Sequence, residues 1–268
     1  MFKSDTENNV EKKKRKKENE NKKYNIINEL EPIDIFNQMI NIILKKVKSS
    51  HKANSSYSNI RIFGINVIKS ICKKFNINDK IYFSSINLLD ELYIYKQFTE
   101  DVQKISFVCL ILTIKFLENE DCSIKIVDEI IKNNQITFYS FFESKIIEIM
   151  DYDFILYSTY DILSFLLENG IIFSPEKEYL RKYNFDVKKV HLNCFKHLNF
   201  LVEKKFFIKF HPIEIAFSII SINREIYGLS DIHILFERIY HFQFDNYTKC
   251  LEYIKSKIKF KRVIHPSM

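Results

Sequence analysis

Lys115 closes a run of eight apolar or small residues, Phe107 to Ile114, in the stretch FVCLILTIKFLENEDC. A lysine ammonium loses hydration on burial unless it is paired. A lysine at the end of an apolar helix therefore either snorkels its stem out to water or holds a partner. Glu143 lies two predicted helices further on. Lysine donates up to three hydrogen bonds and a carboxylate accepts several, so the two together can hold backbone groups of another chain. Arg61 and Asp90, 29 residues apart, are a second couple of opposite charge. Asp90 follows Ile86, Leu88 and Leu89 and so flanks an apolar face. The couple is either a surface pair worth about 0–1 kcal/mol or a partly buried pair, where losing one member costs roughly 3–5 kcal/mol.

Other chemistry is poorly supported. His191, Cys194 and His197 are metal-ligating residue types, but two histidines six positions apart on a helix point about 240° apart. No metal and no cofactor is expected. Gly64, Gly170 and Gly228 are too scattered for a phosphate-binding loop. No HExxH, GxSxG or kinase signature occurs, so the chain is not expected to be an enzyme.

The elements that must position these residues are helical. The chain has 268 residues, 46% hydrophobic and 15% aromatic, enough for a large core. Three Gly and four Pro are too few for a turn-rich β fold. Apolar periodicity predicts a helix over about 32–48, then five over about 59–75, 79–93, 101–118, 123–133 and 136–151. Their starts are placed at Ser58, Asn78, Thr99, Cys122 or Ser123, and Gln135 to Thr137. A second series follows over about 158–168, 186–204, 212–227, 230–239 and 245–259. Pro212 suits a first helical turn and Gly228 a helix end. The third helix of each set is its most apolar and carries small residues (Ser106, Cys109 and Thr113; Ala216 and Ser218), which suits a central helix that others approach closely.

No apolar run is long enough to cross a membrane without charges, and no apolar signal segment precedes the first charges. The scattered Cys72, Cys109, Cys122, Cys194 and Cys250 suit a reducing compartment, so nucleus and cytoplasm are the expected locations. Net charge is +7, with nine Lys/Arg against five Asp/Glu in residues 1–23. The body carries only the remainder, which makes it a poor wrapper of polyanions, and nucleic acid is not expected as a partner. Residues 1–31 read as a disordered basic tail. Its run Lys12, Lys13, Lys14, Arg15, Lys16, Lys17 suits either nuclear import or a merely solvated tail. Lys17-Glu18-Asn19 matches a degradation signal of cell-cycle proteins, which a Lys/Glu/Asn-rich composition also yields by chance.

Two five-helix sets, each with a central third helix, resemble the cyclin fold. Arg61 in SNIRIFGINVIKSI and Asp90 in INLLDELY resemble the Arg and Asp of the first cyclin box. LTIKFLE, with Lys115, resembles the LASKFEE end of its third helix, and Glu143 its fifth-helix Glu, ahead of Met150 to Phe154. STYDILSFLL and FHPIEIAFSII resemble segments of the second box. The resemblance spans residues 32–262 and implies an all-α fold of tandem bundles. The first box would take 32–155 with its preceding helix, the second 156–262, with 263–268 as a tail. The pattern departs at Asn66, Leu117, Gly64 and Val67; the last two replace the Leu and Trp of the family's substrate-docking patch.

The resemblance further implies a cyclin-dependent kinase as partner, with an assembly factor or kinase inhibitor beside it, and a role in cell division or transcription. Lys115 and Glu143 would clamp the kinase's regulatory helix, with Phe116, Leu117, Phe142 and Ile147 as apolar contacts. Arg61–Asp90 would be a structural ion pair. The competing readings are a DNA-binding protein like the general transcription factors of the B type, and a scaffold that activates no kinase. The former has zinc ribbons and strongly basic repeats. This tail has no Cys, and the late cluster Lys255, Lys257, Lys259, Lys261 and Arg262 reads as a solvated helix face.

Overall fold

The computed structural model describes residues 55–134, 136–154, 157–168, 176, 178, 187–229, 231 and 246–258, all within one compact unit, Ile43–Met268. The helix expected over 32–48, the basic tail and, but for Asp231, the helix expected over 230–239 lie outside the described residues. Those described are helical, with no strand among them.

Five helices form a first group: α1 Ser55–Phe75, α2 Asp79–Ile94, α3 Val102–Leu117, α4 Glu120–Asn134 and α5 Tyr139–Ile149. Local chemistry sets their ends. Asn78 caps α2, its Oδ1 accepting from the Ile81 N–H at 3.0 Å. Asp101, rather than Thr99, caps α3, because its carboxylate reaches the N–H groups of both Gln103 and Lys104. The α4 helix begins at Glu120, ahead of Cys122.

Every residue of α3 from Val108 to Ile114 is buried. A helix apolar all round must be packed all round, and α3 touches α1, α2, α4 and α5. Its buried polar side chains turn back on their own helix: Ser106 donates to the Val102 carbonyl and Thr113 to that of Cys109. Gly64 is what lets α1 approach so closely. A Cβ there would stand 2.5 Å from Ser106 Oγ and 2.8 Å from Leu89 Cδ2. A larger side chain at this position has no room here.

The second group is α6 Thr159–Glu168, α7 Val187–Leu201, α8 Pro212–Ile226 and α9 Tyr247–Lys257, with a 3-10 turn over Phe207–Lys209. The α8 helix is buried from Ile213 to Arg224 and touches α6, α7 and α9. His211 and Glu214 close a reciprocal capping box ahead of Pro212. Gly228, at φ 70°, ends the helix as its position predicts.

Contacts between the groups are specific. Phe83 on α2 stacks on Tyr160 of α6, ring centres 5.2 Å apart. Arg61 on α1 donates to the Val202 carbonyl just after α7. Lys69 pairs with Glu203, and Lys205 donates to Asn59 at 2.6 Å.

Candidate functional site

The two charged couples are built oppositely. Arg61 is buried, and its guanidinium meets Asp90 in a fork, Nε to Oδ1 and Nη2 to Oδ2, both at 2.7 Å. Tyr57 donates to the same carboxylate at 2.6 Å and stacks on Tyr93. Burial, then the nearby Asp90 charge, holds the Tyr57 phenol well above its ordinary range, so it stays a donor. The Phe207 ring lies 5.5 Å from the guanidinium. Every charge here is satisfied inside the protein, which is how a structural pair looks.

Lys115 and Glu143 stand at the surface. The last turn of α3 brings the ammonium out, and α5 supplies the carboxylate, with Nζ 2.8 Å from Oε1. Tyr139, one turn before Glu143, donates to the same oxygen, and Nζ lies 4.8 Å from the Tyr139 ring centre. Burial first, then the bond to Glu143, pushes the Tyr139 phenol well above its usual value. Its hydroxyl therefore remains a donor that fixes the Glu143 rotamer. Both bonds fall on Oε1, so the second carboxylate oxygen is an acceptor the pair does not use. The opening lysine is thus neither core nor idle: its stem leaves an apolar helix and its head is held on an open face.

Apolar groups surround this couple. Phe116 is 55% exposed and Leu117 44%. Phe116 stacks on Phe154 at 4.4 Å, and Ser84, Leu88, Thr113 and Leu117 complete a shallow groove with them. Phe142 is buried, at 9%, and its neighbour Phe141 is the exposed ring, at 67%. Tyr139, Phe142 and Ile146 form the inward stripe of α5, so position 142 packs against the core and 141 turns outward. On this face Phe141, not Phe142, is the exposed ring. Ile147 is half-buried beside the inward stripe. Tyr139, Phe141 and Phe154 are absent from the residues expected from sequence. The i, i+3, i+7 spacing of 139, 142 and 146 is the signal that separates Phe141 from Phe142.

Cys194 points inward on α7, and His191 and His197 are half-buried, with burial lowering both imidazole pKa values. His197 Nδ1 stands 3.0 Å from the Asn223 amide. Lys12 to Lys17 lie outside the described residues.

Residues 34–155, just under half of the chain, match the family model described as Cyclin, N-terminal domain. The matched span includes α1 to α5, and with them both charged couples. Among curated proteins, none matches the chain.

Proposed function

Given that this chain carries a cyclin N-terminal domain and is a member of the cyclin family, we propose that it is a regulatory subunit that binds and activates a cyclin-dependent kinase. Cyclin domains are non-catalytic regulators, so the chemistry belongs to the partner. The observation that carries the reading is the Lys115–Glu143 couple: exposed, preset by Tyr139, and flanked by exposed Phe116, Leu117 and Phe141. Exposed apolar groups around a few fixed polar ones are the makings of a binding centre.

In this reading, Lys115 donates to backbone carbonyls at one end of the kinase's regulatory helix, and Glu143 accepts from its N–H groups. Phe116, Leu117, Phe141 and Phe154 take up its apolar side chains. An isolated cyclin-dependent kinase holds that helix displaced, which breaks the Lys–Glu pair that positions ATP phosphates. A partner that binds only the inward position shifts the equilibrium. Taking the active state from about 1% to 99% needs roughly 5.5 kcal/mol of differential binding. An interface of about 2,000 Å² is of the size that can supply it. A role in cell division or transcription, and import through Lys12–Lys17, belong to the same proposal.

The test is co-purification from the native cells, wild type beside Lys115→Ala/Glu143→Ala, with a histone-kinase assay of both eluates. A kinase and its activity recovered with wild type and lost with the double variant support the reading. No kinase, or equal recovery with both, refutes it.

A further inference from the structure

We propose that the outer face of α7 and the turn after it form a docking surface for an acidic peptide segment with an apolar anchor, presented by a partner protein. The surface lies outside residues 34–155 and does not depend on the kinase reading. Residues 187–210 hold six lysines and one acidic residue, Glu203, and Glu203 is already taken by Lys69. The modest charge of the body as a whole hides this local excess, because acidic residues elsewhere offset it.

The helix is two-faced. Val190, Cys194, Leu198 and Leu201 are fully buried on the inner side. Lys188, Lys189, Leu192, Lys196 and Phe200 are exposed on the outer side, and α7 contains no Asp or Glu. Leu192 is 54% exposed and Phe200 44%, with Lys196 between them on one i, i+4 ridge. Two exposed apolar side chains beside Lys189 and Lys196 suit this ridge to apolar contact and negative charge together. An acidic segment with a Leu or Phe meets both.

Nucleic acid fits less well. Leu192 has no plane on which a base can stack, and Lys204 already stands 4.2 Å from the Phe200 ring centre. Residues 187–210 contain no arginine, the side chain that suits phosphate best by its fork.

The experiment is fluorescence anisotropy on the full chain with a short labelled peptide of Asp and Glu around one Leu and one Phe. A labelled single-stranded oligonucleotide of equal charge is titrated beside it. The proposal expects peptide binding that weakens at least about tenfold in Lys189→Glu/Lys196→Glu and again in Leu192→Ser/Phe200→Ser. Binding should persist in Lys73→Glu/Lys74→Glu, an equal charge change at the end of α1. All these lysines, Leu192 and Phe200 are exposed, and circular dichroism confirms that the variants fold. Absence of peptide binding, equal weakening in the α1 variant, no effect of the Leu192/Phe200 change, or preference for the oligonucleotide each overturns it.

Discussion

The central helices α3 and α8 both end on a cation, and the two cations meet opposite fates. Lys115 is 41% exposed at its side chain and Arg224 is 0%. Arg224 is held by Glu176 in a two-bond fork, Nη2 to Oε1 at 2.6 Å and Nη1 to Oε2 at 3.0 Å. A guanidinium can be sealed inside because its planar donors match a carboxylate; an ammonium on a flexible stem is cheaper to bring to the surface. A charge ending an apolar helix is therefore not in itself a site. What separates the two ends is their surroundings. Exposed Phe116, Leu117 and Phe141 flank Lys115, whereas buried Ile222, Asn223 and Tyr227 flank Arg224.

The largest effect should come from breaking the sealed end. Arg224→Ala leaves Glu176 without its forked partner and should cost about 3–5 kcal/mol in denaturant unfolding. An Arg224→Met/Glu176→Leu double variant should recover most of that loss, since an apolar pair needs no desolvation compensation.

Next comes the packing of α1 on α3. Gly64→Leu forces a side chain against Ser106 and Leu89 and should destabilise by about 1–3 kcal/mol. Gly64→Ala with Ser106→Ala should lose less than Gly64→Ala alone, because the nearest obstacle is removed.

A smaller, pH-dependent effect separates the halves. Burial lowers the His197 pKa from its ordinary 6.5, so the folded state resists protonation. Below about pH 6.5 the unfolded chain binds more protons, and stability falls as pH falls. His191 acts in the same direction. His197→Gln should flatten part of this acid slope in pH-resolved thermal unfolding.

The smallest stability effect belongs to the open end. Lys115→Ala/Glu143→Ala should change unfolding free energy by no more than about 1 kcal/mol, the usual worth of a solvent-exposed pair.

Much of the fold was legible locally. Asn78, Pro212 and Gly228 mark helix ends by chemistry that acts within a turn, and the apolar runs mark α3 and α8 as central. Thr99 and Asp101 show the limit: both can cap, and only the position of the first helical N–H groups decides between them. The Arg61–Asp90 couple was legible as a pair, but the Val202 carbonyl it also holds is 141 residues from Arg61 and leaves no local trace. Arg224 and Glu176, 48 residues apart, are equally silent. Phe141 and Phe142 are neighbours of one type, and core packing of Tyr139 and Ile146 chooses between them.

The central claim is that the open end of α3 is a binding site and not a structural pair. The direct measurement takes Lys115→Ala/Glu143→Ala beside wild type and reads two quantities on the same preparations, unfolding free energy and capture of a cyclin-dependent kinase. The account predicts unfolding within about 1 kcal/mol of wild type and loss of kinase capture. A variant that unfolds as Arg224→Ala does, or that captures kinase as well as wild type, would contradict it.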